Sequence, residues 1–403
     1  MRIGLDARHL THPQQGGFKS YTQSLVAAIA KVDQRNEYFV YTDRLSEEAM
    51  EFPENFRVRV VQGSLPVREQ VAMPIALARD RVEVAHFLSN TAPLLLRCPY
   101  VLTVHDVIPC LPEAAPRVSG GRKARMLDRY WREVIPLAAG RAARIVTVSE
   151  FSSTDIQRVL GTAEERIQVL HNGIDPAFRA MDPESYKAAL RDYQLPSGPF
   201  ILGFLSSELR KNSAGIISAF RLIADRVPDC GLVLVSSSRD DSGALAEEAL
   251  RDTRITVLRR LPQEHLVALY NAATALVFPS FSEGFGLPVL ESMACGTPVI
   301  TSNIGSLSEV AGDAALLVDP ANINGIAQAM LAVISSDRLR QSLSAKGMDR
   351  ASMFSWEETA RCLIETYAKA ARAGCPEDSR SLEDAIGVDP PTEDLHAYGE
   401  AAK

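Results

Sequence analysis

The chain has 403 residues, 46% of them hydrophobic, enough apolar material for two or three domains with sizeable cores. A formal net charge of −7 gives no support to a nucleic-acid groove or a strongly basic membrane patch. No apolar run approaches the roughly 18 to 20 residues of a membrane span.

The opening residues MRIGLDARHL lack the long apolar region of a secretory leader. Six cysteines (98, 110, 230, 295, 362 and 375) form no CxxC pair and no histidine cluster accompanies them, so they read as reduced thiols rather than a disulfide framework or zinc site. A cytoplasmic protein is expected. Peripheral contact with the inner face of the cell membrane stays open, as does the oligomeric state.

In chain order, a strand is expected at 3–5, a helix at 21–32, and further strands at 38–42, 58–62, 84–87, 100–104, 144–148 and 168–170. Helical spacing marks 121–139 and 152–160. Apolar strands separated by loops and helices predict a parallel sheet covered on both faces. The segment 175–199 carries four prolines and reads as a connector. Alternation restarts with strands at 200–204, 232–235, 255–257, 275–278 and 299–301 and helices at 214–224, 265–272 and 288–294. Two doubly wound α/β domains, 1–175 and 199–355, follow from this, joined by a linker at 176–198. An amphipathic helix at 356–371 comes next. The tail, 373–403, holds four Asp and four Glu and is expected to be mobile.

Doubly wound sheets bind ligands at the carboxyl ends of their strands, and polar motifs cluster at those predicted ends. After the strand at 275–278 the chain reads PSFSEGFGLPVLESMACGTPVI, which places Glu283 in a strand-to-helix loop and Glu291 about one turn into the helix. The glycines between them allow close backbone approach, and a helix start offers free N–H groups. Two glutamates eight apart can also arise by chance.

After the strand at 200–204 comes SSELRKN, whose Arg210 and Lys211 can neutralise a diphosphate or stand as a solvated basic pair. His105 of HDVIP ends the strand at 100–104, either to bond a sugar hydroxyl or as a structural histidine. Gly17, in QGGFKSY, joins the first strand to the first helix. This run is not a GxGxxG fingerprint, so no nicotinamide cofactor is indicated. VSEFS and HNGID end two more strands and read as mostly structural. GxxxxGK[ST], HExxH and GxSxG are all absent. Asp240-Asp241, in a polar loop, is a poor warrant for a divalent-metal site.

In this order GGFKSY, HDVIP, VSEFS, HNGID, ELRKN, FPSFSEGFGLPVLESMACGTPVI and EVAGDAALLVDP resemble the retaining glycosyltransferases of family 4, from about residue 1 to 371. The resemblance implies the GT-B fold, two facing Rossmann-like domains with an interdomain cleft, and a closing helix at 356–372 that crosses back to the first domain. It implies that Glu291 binds the ribose hydroxyls of a nucleotide sugar and that Glu283 holds the transferred sugar. The backbone at Phe285, Gly286 and Leu287 would hold sugar and phosphate. Arg210 and Lys211 would stabilise the leaving diphosphate, His105 would lie near the sugar, and Gly17 near the diphosphate. Glu309 would sit near the nucleotide. Leu205 and Leu209 stand where the family commonly has Gly and Pro, so the donor loop departs from the pattern there.

The implied reaction moves a hexosyl group, with retention and without metal or cofactor, from a nucleoside diphosphate sugar to a saccharide or lipid-linked acceptor. GDP-mannose is the favoured donor and a UDP-hexose the alternative. Residues 63–80 and 110–125 are expected to shape the acceptor side. Arg117, Arg122, Lys123 and Arg125 there are candidates for contact with an anionic acceptor or the membrane. A sugar-nucleotide epimerase and a non-catalytic nucleotide-sugar binder are the competing readings.

Overall fold

The computed structural model describes residues 1–12, 16–44, 51–111, 122–236, 243–259 and 261–374. Among these residues, thirteen strands form two parallel sheets. The first contains β1 (Arg2–Asp6), β2 (Glu37–Thr42), β3 (Phe56–Val60), β4 (Val84–Phe87), β5 (Tyr100–Thr103), β6 (Arg144–Thr147) and β7 (Ile167–Val169), in the spatial order β3-β2-β1-β4-β5-β6-β7. The second contains β8 (Phe200–Phe204), β9 (Gly231–Ser236), β10 (Ile255–Arg259), β11 (Ala275–Phe278), β12 (Val299–Ser302) and β13 (Leu316–Val318), in the order β10-β9-β8-β11-β12-β13. Strand order reverses once in each sheet, beside β1 and β4 and beside β8 and β11. At such a reversal the flanking connections leave on opposite faces and open a crevice at the strand ends.

The central strands are buried on both faces rather than alternating, whereas the edge strand β3, FRVRV, alternates arginine with apolar residues. All four residues of β4, β5, β11 and β12 are buried, as helices covering both faces of a parallel sheet require. Helices start where sequence chemistry allows. The Ser149 hydroxyl accepts from the Ser152 N–H and caps Glu150–Leu160, and Gly161 closes that helix with φ 65°.

Several elements were not among those expected, including the helices Met73–Arg79, Ala244–Ala249 and Gly305–Ala311. The connector carries a helix, Pro183–Leu190, capped by Asp182 with proline in its first turn. Strand β13 has three residues, too short for a periodicity to register. Helix Ile323–Ser335 packs against β11, β12 and β13, and helix Asp337–Ala351 packs against it and against helix Leu287–Ala294.

Helix Trp356–Ala373 returns to the first sheet. Its buried face presents Trp356, Leu363 and Tyr367, each worth roughly 2–3 kcal/mol of apolar burial. The Tyr367 hydroxyl meets His86 Nδ1 at 2.7 Å, and Thr366 donates to the Gln168 side chain at 2.6 Å. Residues 375–403 of the acidic tail, Asp240-Asp241 and Arg117 lie outside the described residues. Arg125 is exposed. No helix among the described residues is long and apolar enough to cross a membrane.

Candidate functional site

The loops after β8 and β11 flank the crevice of the second sheet and are stitched together. The Phe281 N–H donates to the Arg210 carbonyl at 2.7 Å. The Asn212 amide reaches the carbonyls of Pro279 and Pro320 at 3.1 and 2.7 Å, and Asn212 itself adopts φ 54°, a left-handed turn that asparagine tolerates. The stitching sets the two charged motifs face to face. Arg210 Nη1 lies 2.7 Å from Glu283 Oε2 and 3.0 Å from the Ser282 carbonyl, while its Nε donates to Glu208 at 2.7 Å. Lys211 Nζ is 3.5 Å from Glu283 Oε1. Burial alone would raise the Glu283 carboxyl, but the charges of Lys211 and Arg210 hold it below the usual range. Arg210 and Lys211 do not stand as a solvated basic pair but are held by a carboxylate.

Eight residues on, Glu291 stands in the second turn of helix Leu287–Ala294. Gly286, at φ 113°, starts that helix, and a Cβ there would lie 2.5 Å from Leu307 Cδ2, so both backbone and space call for glycine. Glu291 lines a cavity with Ser20, Gln23, Gly173, Asp175, Leu287 and Trp356, residues drawn from both halves and the closing helix. Burial pushes its carboxyl up to about 7, despite a hydrogen bond from Tyr270 at 2.9 Å.

From the first half, His105 Nε2 contacts the Leu88 carbonyl at 2.9 Å. A carbonyl can only accept, so that nitrogen carries the proton and Nδ1 keeps its lone pair. Burial lowers the pKa of this ring, which favours the neutral form. Phe18 and Tyr21 pack edge-on against it at 4.9 and 4.5 Å. Gly17 opens helix Gly17–Val32, and a Cβ on Gly16 or Gly17 would meet nothing within 4 Å, so that helix start is uncrowded. Among the described residues no group of three His, Cys, Asp or Glu is placed to hold a metal ion.

The two halves meet at the same loops. Ser149 and Ser152 hydroxyls donate to the Gly284 carbonyl at 2.8 and 3.1 Å, and Ser152 also reaches the His105 carbonyl at 3.1 Å. A Cβ on Gly284 would sit 2.5 Å from that carbonyl oxygen. VSEFS thus builds the junction, a role its serine content alone did not signal. Phe285 is buried, with its ring against His171 and Phe354 at 6.2 and 5.9 Å.

Glu309, expected near the nucleotide, bonds across the two halves. Its Oε1 accepts from the Glu150 N–H and from His171 Nε2 at 2.9 and 2.8 Å, and its Oε2 from the Phe151 N–H at 3.1 Å. Both oxygens are thereby committed to the start of helix Glu150–Leu160, where free N–H groups and the helix dipole favour a carboxylate. Glu309 is a tie between the halves.

Two facing sheets of Rossmann-like order, with basic and acidic loops at the strand reversal, define the GT-B class. The glycosyltransferase family 4 model matches residues 15–178 and the glycosyl transferases group 1 model residues 187–350, one on each half. The chain is 34% identical over 272 residues to the O-antigen chain mannosyltransferase B of Escherichia coli, covering 66% of this chain and 69% of that protein. It is 28% identical over 291 residues to the serotype-specific mannosyltransferase WbdA of Escherichia coli, of which it spans 35%. Among solved structures, sucrose-phosphate synthase from Thermosynechococcus elongatus superposes with a TM-score of 0.71 at 20% identity, covering 92% of this chain and 99% of that one. HepE of Anabaena in complex with UDP-glucose does so at 0.68 and 17%, covering 91% and 99%. The chain belongs to the group 1, family 4 glycosyltransferases.

Proposed function

We propose that the protein transfers a hexosyl group, with retention of anomeric configuration, from a nucleoside diphosphate sugar to a hydroxyl of a saccharide or lipid-linked saccharide. The carrying observation is the Arg210–Glu283–Lys211 cluster at the strand reversal of the second sheet. In this reading Arg210 and Lys211 take up the charge that grows on the leaving diphosphate, as preorganised cations do most effectively in a water-poor cleft. That chemistry asks for no metal. Glu283 and the neutral His105 hold hydroxyls of the transferred sugar, and Glu291 takes the ribose. The backbone of Phe285, Gly286 and Leu287, with Gly17 from the opposite wall, receives the phosphates. Growing charge on the leaving phosphate also suits attack by the acceptor on the same face, which gives retention without a covalent enzyme intermediate.

GDP-mannose is the donor favoured here, because the relative at 34% identity is a mannosyltransferase acting in O-antigen chain synthesis. A thermal-shift screen of GDP-, UDP- and ADP-sugars identifies the donor, since a ligand specific to the folded state raises its apparent stability. Transfer to saccharide acceptors, with the anomeric configuration of the product read by NMR, tests the reaction. An inverted product, or stabilisation by none of the nucleotide sugars, overturns the proposal.

A further inference from the structure

Glu291 does not hold itself in place. Its helix offers the carboxylate no partner, and a free glutamate side chain keeps up to about 2 kcal/mol of rotamer entropy. The hydrogen bond it does make comes from Tyr270, on the separate helix Gln263–Ala272, whose hydroxyl donates to Oε2 at 2.9 Å. Tyr270 is fully buried. Its ring packs edge-on to Phe178 at 6.0 Å, and its backbone carbonyl accepts the Thr297 hydroxyl. The ring is thus packed against Phe178, and the backbone that carries it is tied to Thr297. Burial and the Glu291 charge keep the phenol protonated, so it stays a donor. Oε1 of Glu291 receives no hydrogen bond from the described residues, and the residue lines the cavity between the halves. The other titratable groups around this pair are Asp175, from the segment after β7, and Cys295, at the end of the Glu291 helix.

We propose that Tyr270 is a positioning residue for nucleotide binding: its phenol holds Oε2 of Glu291 so that Oε1 is presented to the ribose hydroxyls. This rests on the assignment of Glu291 to the ribose made above. A carboxylate oriented before binding loses less freedom when the ligand arrives, and a polar group acting through another shows non-additive substitution effects.

The test uses Tyr270→Phe, which keeps the ring and removes one hydroxyl, together with Glu291→Gln and the double variant. Affinities for GDP, UDP and their 2′-deoxy analogues are measured by titration calorimetry across pH 6 to 8, beside kcat and KM with the active donor. In Tyr270→Phe, nucleotide affinity is expected to fall about tenfold and donor KM to rise to match, with kcat held within about twofold. The penalty for a 2′-deoxy sugar is expected to shrink, and the acid limb of binding to move to higher pH. The Phe substitution is expected to add little on top of Glu291→Gln. A Tyr270→Phe protein with lowered melting temperature but unchanged affinity, pH profile and 2′-deoxy penalty overturns the proposal while leaving the ribose assignment intact. A Glu291→Gln protein with undiminished affinity for both nucleotides overturns the ribose assignment itself, and the proposal with it. Should Tyr270→Phe not fold, 3-fluorotyrosine placed at position 270 keeps the ring and the hydroxyl but makes the phenol a stronger donor to Glu291; the acid limb of nucleotide binding is then expected to move to lower pH, and an unmoved limb is the overturning result.

Discussion

Glu283 and Arg210 are joined across two loops by a 2.7 Å contact, with Lys211 3.5 Å away on the carboxylate's other oxygen. Before any donor arrives, one anion stands between two cations at the strand reversal. Under the proposed function, a diphosphate entering the crevice would meet cations already fixed in place, which lowers the reorganisation needed when charge develops. Replacing Lys211 with Ala removes one of the two. Turnover is expected to fall about 10²-fold or more, with a smaller change in donor KM, because the missing interaction is strongest in the transition state. Steady-state rates of nucleoside diphosphate release decide this, and unchanged turnover removes Lys211 from the role.

Glu283→Gln separates two consequences of the same contact. It keeps the shape and hydrogen-bonding reach of the side chain but releases Arg210 and Lys211 from a carboxylate that is 12% exposed. Free nucleoside diphosphate is expected to bind as tightly as before or more so, since its phosphates no longer compete with a fixed anion. Transfer is expected to drop by about 10², because the amide is a poorer partner for sugar hydroxyls as positive charge grows near the anomeric carbon. Calorimetry with GDP and UDP, set beside kcat, shows whether the two move in opposite directions.

Glu309 supplies a prediction about the junction. Removing its carboxylate with Glu309→Gln weakens the contacts to the Glu150 and Phe151 N–H groups and to His171, worth about 1–2 kcal/mol together at a helix N-terminus. Burial would raise this carboxyl, yet His171 and the two N–H groups hold it below its ordinary 4.5. A depressed carboxyl stabilises the fold above its unfolded value, and that stability is lost as pH falls through the folded value. The stability difference between wild type and Glu309→Gln is therefore expected to be full at pH 7 and to shrink as pH falls below 4.5 and through the depressed folded value. Urea unfolding at several pH values follows it.

Gly173 sits where the closing helix begins. A Cβ built there lies 2.1 Å from the Trp356 backbone nitrogen and 2.7 Å from the Ser355 carbonyl carbon, atoms that cannot swing aside. Gly173→Ala is expected to cost about 3 kcal/mol or to displace the helix. Lower melting temperature, with greater exposure of Trp356 to a fluorescence quencher, is the signature. Gly161→Ala, where nothing lies within 4 Å and only the φ of 65° objects, is expected to cost about 1 kcal/mol.

Much of this was legible in the residues. Apolar runs such as ALVF and VITS, bounded by turn residues, announced buried parallel strands, and the order of the motifs around them placed basic and acidic loops at strand ends. Periodicity could not register β13, whose three residues include the exposed Leu317, or the helix in the proline-rich connector, though Asp182-Pro183 carries a cap signature that points to it. Side-chain partners across the chain were out of reach. Nothing local to Glu309 indicates that it would cap a helix 159 residues earlier, and nothing in VSEFS indicates that its serines would grip Gly284. Tyr270 reads in sequence as one more apolar helix residue. Only the fold brings its hydroxyl to Glu291.

The raised Glu291 carboxyl gives the site a pH dependence with a definite sign. In the unliganded protein burial holds it up to about 7, so near neutral pH it is divided between acid and carboxylate. A carboxyl raised on folding favours the native state in acid, and that contribution fades as pH climbs from its unfolded value toward 7. If Glu291 holds the ribose as proposed, the ribose hydroxyls donate best to the charged form, so nucleotide binding runs the other way and favours loss of the proton. Between pH 8 and pH 6 the charged fraction of a group titrating near 7 falls about tenfold, and nucleotide affinity is expected to fall with it. Calorimetry at pH 7 in buffers of different ionisation enthalpy should detect a fraction of a proton released on binding. Glu291→Gln should release none and bind with a flat profile across this range. A wild-type profile just as flat would mean that the nucleotide does not contact this carboxylate.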